Sequence, residues 1–198
     1  MPRVARQGAA IDARARGAAA PGANGAVVAQ KAFSLMPTLY LVRHAIAEER
    51  GPEFPDDTKR PLTRRGRERM RRGVAGFRAL RPGVELILTS PLVRTVHTAE
   101  ILSSGLDDAP IEALPALAPG HSPRHLAQAL ADASKADVIA LVGHEPDLGK
   151  FAAWLLGSRR AIPFRKGGIA RIDVKSLPPT QNGTLIWHAT PRLLRSIG

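Results

Sequence analysis

Four residues far apart in the chain, Arg43, His44, Arg94 and His144, are of types that together can hold and transfer a phosphoryl group. Guanidinium forks match phosphate oxygens bidentately. A histidine can act as nucleophile, forming a covalent phosphoenzyme that divides one displacement into two easier steps. A second histidine, if protonated, would stabilise the charge spread over the equatorial oxygens. The chain contains no cysteine, which excludes thiolate nucleophiles, thiolate metal sites and disulfides. Taken singly, each of the four has an ordinary reading as a surface arginine or a satisfied histidine. Their positions relative to strand ends are what set them apart.

Apolar runs of strand length occur at "TLYLV", "VELILT", "DVIALV", "GIARIDV" and "TLIWHA", with helical stretches between most of them. "TRRGRERMRRGVAGFRAL" spaces Met70, Val74 and Phe77 at i, i+4, i+7. "SPLVRTVHTAEILSSG" offers Ser90 as N-cap, Pro91 at the first helical position and Gly105 as a stop. Ser122-Pro123 repeats that opening, and "EPDLGKFAAWLLG" places Leu148, Phe151, Ala152 and Leu155 on one face. Strands alternating with helices predict an α/β class, a three-layer α/β/α sandwich with a mostly parallel sheet. In such sheets ligands bind beyond the carboxyl ends of the strands. "LYLVRH" ends in Arg43 and His44, "VIALVGHEP" ends in His144, and "ELILTSPLVR" enters a helix with Arg94 in its first turn. An arginine there opposes the helix dipole unless an anion sits between them, in which case both act on the same charge.

The remaining composition bounds the function. With 198 residues, 44% of them hydrophobic, the chain can bury one sizeable core. It has no apolar run of the ~18 residues a membrane span requires. Residues 1–36 are rich in Ala, Gly and Arg, with Asp12 their only acid. They are expected to form a disordered extension, and Met36 is a candidate true start. Residues 37–198 are the expected domain, and a cytoplasmic location and a monomer are expected. The formal charge of +12 favours anionic partners. The densest basic run, Lys59 to Arg72, reads first as a solvated helix face. Without an aromatic ladder to stack bases, nucleic acid is disfavoured.

"LYLVRHA", "RPLTRRG", "TSPLVRTVHTA" and "LVGHEP" occur in the order and approximate spacing of the histidine phosphatase (phosphoglycerate mutase-like) superfamily. Residues 37–195 as a whole resemble its compact SixA-type phosphohistidine phosphatases, including "FRKGGIARIDV" and "WHATPRLL". The resemblance implies a three-layer fold without a large lid insertion and a reaction that needs no metal or other cofactor. It implies that His44 is the phosphorylated nucleophile, that Arg43 and Arg94 bind the phosphate, and that His144 is the second pocket histidine. Ala45 stands where the family usually has glycine. Ala116, in "LPALAPG", stands where larger-lidded relatives carry a glutamate general acid.

An alcohol leaving group normally needs a proton as it departs, whereas the imidazole of phosphohistidine leaves far more readily. The missing acid therefore fits a P–N substrate. Glu48, four residues after His44, is the best alternative acid, followed by Glu145, which reads more simply as a solvated carboxylate. Lys166 could add positive charge near the pocket, although a turn lysine is the plainer reading. His97 and His188 read as packing residues. His121 and His125 are four apart, but Ser122-Pro123 starts a helix between them, and a zinc site there is rejected. The leading expectation is a phosphatase acting on a phosphohistidine-containing protein. A small phosphate ester is the alternative substrate. A non-catalytic binder of phosphorylated or nucleic-acid partners is the alternative of another class.

Overall fold

The structure, a computed structural model, describes residues 36–198. The extension expected over residues 1–36 therefore lies outside the described residues apart from Met36. Six strands, β1 (Thr38–Arg43), β2 (Leu86–Thr89), β3 (Ile111–Ala113), β4 (Val138–Gly143), β5 (Ile169–Asp173) and β6 (Thr184–Ala189), form one sheet in the order β3-β2-β4-β1-β5-β6. β1, β2, β3 and β4 run parallel, while β5 is antiparallel to both β1 and β6. The helices are α1 (Arg64–Ala79), α2 (Val93–Gly105), α3 (Pro123–Ala133), α4 (Asp147–Leu155) and α5 (Pro191–Ile197).

The central strands show no polar alternation because both faces are covered. On one side Leu39 and Leu41 of β1 pack in a cluster with Leu126 and Leu130 of α3 and Phe151 of α4. On the other, Tyr40 and Val42 share a cluster with Met70, Val74 and Phe77 of α1, Leu102 of α2 and Leu194 of α5. Successive side chains of a strand point to opposite faces, so one unbroken apolar run supplies both cores. This is the α/β/α sandwich expected from the sequence.

Register then brings the chemistry level. Arg43 is paired with Gly143 across β1 and β4, and Val142 with Thr89 across β4 and β2. The residues one step beyond these pairs are His44, His144 and Ser90. Hydrogen bonds from His44 N to Gly143 O (3.1 Å) and from Ser90 N to Val142 O (3.1 Å) carry the ladder to that point.

Three local features differ from the sequence-based expectation. β3 has three residues with exposed side chains, too few for a period-2 pattern to register. α5 has only seven residues, although Thr190 caps it and Pro191 opens it. α2 begins at Val93 with Leu92 as its N-cap and no side-chain cap hydrogen bond. The hydroxyl of Ser90, expected as that cap, is engaged elsewhere. By contrast, Thr63 caps α1 by accepting from Gly66 N at 2.8 Å. A Cβ on Gly66 would collide with the Ile46 carbonyl oxygen, so glycine lets the first turn of α1 rest on the loop that follows His44.

Candidate active site

His44 and His144 are 6% and 3% exposed, with ring centroids 5.3 Å apart at an interplanar angle of 56°. Nδ1 of His44 lies 2.7 Å from the Ala45 carbonyl oxygen. A carbonyl can only accept, so the proton is on Nδ1 and the lone pair is on Nε2. Burial pushes this imidazole down to about 4 against that hydrogen bond, with the Arg94, Arg43 and Lys166 charges adding to the depression. His44 is thus neutral near pH 7, with the lone pair of Nε2 unprotonated.

His144 Nε2 lies 2.9 Å from Ser90 Oγ, and that oxygen accepts a longer, 3.4 Å bond from Leu92 N. A Ser90 hydroxyl that donates to Nε2 leaves the imidazole proton on Nδ1. Burial pushes His144 down to about 3, assisted by Arg94 and His44. The protonated second histidine conceived from the sequence is therefore replaced by a neutral one that still presents an N–H.

Each guanidinium is held from the side. Arg43 Nη1 donates to the Phe164 carbonyl at 2.5 Å. Arg94, 3% exposed, donates from Nη1 to the Asp57 carbonyl at 2.8 Å, and its Nη2 lies 3.1 Å from the Asp57 carboxylate. Burial alone would raise the Asp57 carboxyl. The bond from Arg50 and the charges of Arg94 and Arg60 outweigh it and hold the group below the usual carboxylate range. Arg60 reaches the same carboxylate at 2.9 Å and the Glu48 carbonyl at 2.6 Å, tying the 57–60 segment to the loop after His44.

Among the described residues, three buried side-chain nitrogen or oxygen atoms lack a hydrogen-bond partner: Nε of Arg43, Nε of Arg94 and Nδ1 of His144. The two arginine atoms are donors, His144 Nδ1 is a donor in the tautomer whose Nε2 accepts from Ser90, and all three belong to residues around His44. Buried polar groups are nearly always satisfied, so three unpartnered nitrogens in one place, two of them guanidinium donors, mark a site for a ligand that can accept. A tetrahedral oxyanion has the oxygens to meet them.

The other candidates are distributed as follows. The Glu48 amide donates to the Pro61 carbonyl at 2.9 Å, and its half-buried carboxylate makes no hydrogen bond or ion pair among the described residues. Glu145 is not a freely solvated carboxylate. Its Oε1 accepts from Phe164 N at 2.7 Å, and its charge partly offsets the burial of Arg43. Lys166 is exposed, yet its charge reaches His44. Ala116 is buried and lines a small cavity together with His144.

His97 meets Arg67 Nη2 at 3.0 Å, and His188 packs on Phe164 with ring centroids 4.5 Å apart. His121 and His125, expected to be separated by the helix start, instead stack with centroids 5.0 Å apart. Among the described residues no group of three or more His, Cys, Asp or Glu is placed to hold a metal ion. The ion pair of Asp57 with Arg94 and the bond of Glu145 to Phe164 N were not legible locally. Asp57 is 37 positions from Arg94, and only the fold joins them.

Residues 39–119 match the histidine phosphatase superfamily, branch 1. An uncharacterized protein of Picosynechococcus sp. is 38% identical over 120 residues, covering 58% of this chain and 70% of that protein. The protein histidine phosphatase SixA complexed with tungstate superposes with a TM-score of 0.67 at 26% identity, over 78% of this chain and 97% of the other. A SixA protein from Agrobacterium tumefaciens shares the fold with a TM-score of 0.65 at 22% identity, over 78% and 98% of the two chains. Sequence match, topology and site geometry thus agree, and the chain belongs to the histidine phosphatase superfamily, with the fold of its SixA-type members.

Proposed function

We propose that the protein is a metal-independent phosphatase that passes a phosphoryl group through His44, and that its preferred substrate is phosphohistidine on another protein. The observation that carries this reading is the set of three unpartnered nitrogens, Arg43 Nε, Arg94 Nε and His144 Nδ1, beside a neutral His44. His44 Nε2 attacks phosphorus as the substrate P–N bond breaks. A substrate imidazole whose second nitrogen already carries a proton leaves neutral, without help from the enzyme. Water then attacks the phosphohistidine on His44, the P–Nε2 bond breaks to return a neutral imidazole, and inorganic phosphate departs as the dihydrogen monoanion with both protons of the water. The guanidiniums and the His144 N–H meet charge on the equatorial oxygens in both steps. The bound dianion also offsets the guanidinium charge that depresses His144, so its imidazole becomes easier to protonate.

The buried Ala116 beside His144 supports the P–N substrate, because its methyl group offers no proton to an alkoxide, and the Asp147 carboxylate that lines the same cavity is engaged by Gly120 N and Lys150. Relatives named as phosphohistidine phosphatases support it further. Glu48 favours a second reading, a small phosphomonoesterase, since its carboxylate is unpaired in the loop after the nucleophile. Parallel assays on a 32P-phosphohistidine protein and on sugar phosphates separate the two. Glu48→Gln is expected to change phosphohistidine hydrolysis less than about 3-fold. A loss of about 10²-fold or more on both substrates would assign Glu48 as the general acid and overturn the first reading.

A further inference from the structure

Beside the phosphoryl pocket, at the same end of the sheet, a cavity of about 690 Å³ opens between the first turns of α1, the loop before β5 and the start of α5. Six cations line it: Arg43, Arg69, Arg165, Lys166, Arg192 and Arg195; no carboxylate does. Its remaining wall is largely apolar, including Ile46 and Met70. A neighbouring cavity of about 660 Å³ shares Arg69 and Arg195 and adds Arg64, Arg65 and Arg72. The acid there, Glu68, is already engaged by Arg64 at 3.1 Å. Among the described residues, Arg69, Arg165, Lys166, Arg192 and Arg195 have no carboxylate partner. Arg195 is pushed down by burial and by the charges of Arg69, Arg72 and Arg192. Cations crowded in this way repel one another, and a polyanion relieves the repulsion.

We propose that this basic band, centred on Arg69, Arg192 and Arg195, docks an acidic segment of the phosphorylated substrate protein next to the residue that delivers its phosphoryl group. The proposal rests on the phosphohistidine-protein reading given above. Arg43 is common to the phosphoryl pocket and the cavity, so one partner reaches both. The band continues through two cavities, beyond the reach of a single second phosphate. No aromatic side chain lines either cavity to stack a base, and the apolar wall suits the methylenes of acidic side chains. Distributed carboxylates therefore fit better than a small bisphosphate or a nucleic acid.

Two phosphohistidine peptides, one flanked by glutamates and one by serines, test the proposal. Wild-type protein is expected to show kcat/KM about ten-fold higher on the glutamate peptide at low salt, through KM. The combined Arg69→Ala, Arg192→Ala, Arg195→Ala variant loses that preference while hydrolysing the serine peptide as before, and the three-lysine version retains it. If the triple variant melts early, Arg192→Glu, at an exposed position, serves in its place. Equal rates on the two peptides, or a preference that survives the substitutions, would overturn the docking surface. If neither peptide turns over, the phosphatase reading fails, and anisotropy of the unphosphorylated glutamate peptide on wild-type and variant protein still decides the surface. Single-stranded DNA that inhibits at lower concentration than the glutamate peptide would overturn the choice of partner.

Discussion

Two clusters of cations sit at one end of the sheet and are built in opposite ways. Around His44 each guanidinium is clamped, Arg43 by the Phe164 carbonyl and Arg94 by Asp57, and both imidazoles are buried and neutral. Across the α1–α5 surface, Arg69, Arg192 and Arg195 face solvent in part or in full and have no acidic partner. Clamped, desolvated donors suit one small oxyanion in one orientation, where preorganisation strengthens the interaction most. Unclamped, solvated cations suit an anion of variable shape and act mainly through long-range attraction that salt screens. The difference predicts that substitutions in the first cluster act on chemistry and those in the second on encounter and KM.

A series of substitutions and one titration would break or sharpen that contrast. The largest effect is expected from His44→Ala, with kcat falling by about 10⁴-fold or more and no acid-labile 32P label retained on the protein. Arg94→Ala is expected to lower kcat by about 10²–10³-fold with little change in folding, and single-turnover rates separate this from weaker binding. Asp57→Asn acts through the arginines its carboxylate holds, Arg94, Arg60 and Arg50, and should lower kcat/KM by about ten-fold, measured under identical conditions. Gly66→Ala should destabilise the fold by about 1–3 kcal/mol, seen in urea midpoints, because its Cβ meets the Ile46 carbonyl.

The titration concerns stability. Each imidazole titrates at about 6.5 in the unfolded chain, but at about 4 (His44) and about 3 (His144) in the fold. The unfolded chain therefore binds more protons between those limits, and stability is lost as pH falls from about 6.5 through about 4. Each group contributes up to about 1.4 kcal/mol per pH unit in that range. Urea unfolding at pH 7, 5.5 and 4.5 should show the decline, and His144→Gln should flatten it. Bound tungstate or phosphate opposes it by offsetting the guanidinium charge. In the second cluster, the arginine substitutions should leave hydrolysis of a small phosphoramidate within about 2-fold.

The long elements were readable because they bury apolar stripes: β1 and β4 as unbroken runs, α1 and α4 by their helical spacing. Short ones were not. β3 and α5 are held by neighbours rather than by pattern, and three or seven residues carry too little periodicity. Ser90 misled for a related reason. Ser-Pro before a helix signals a cap equally well in "SPLVR" and "SPRHL"; Ser122 does cap α3, whereas the Ser90 hydroxyl goes to His144. The competing partner is 54 residues away and invisible to a local rule. The stacking of His121 on His125 escaped in the same manner, since a non-helical residue can fold back on the first turn.

By itself the sequence determined which groups can do chemistry, the strands that end in them and the excess positive charge, because residue type, apolar period and charge are local or summed properties. The tertiary structure decided which nitrogen of His44 is free, that His144 is neutral, that Asp57 clamps Arg94, and which arginines remain unpaired. Those outcomes depend on strand register and on burial, which couple residues tens of positions apart and set the dielectric in which each charge is held.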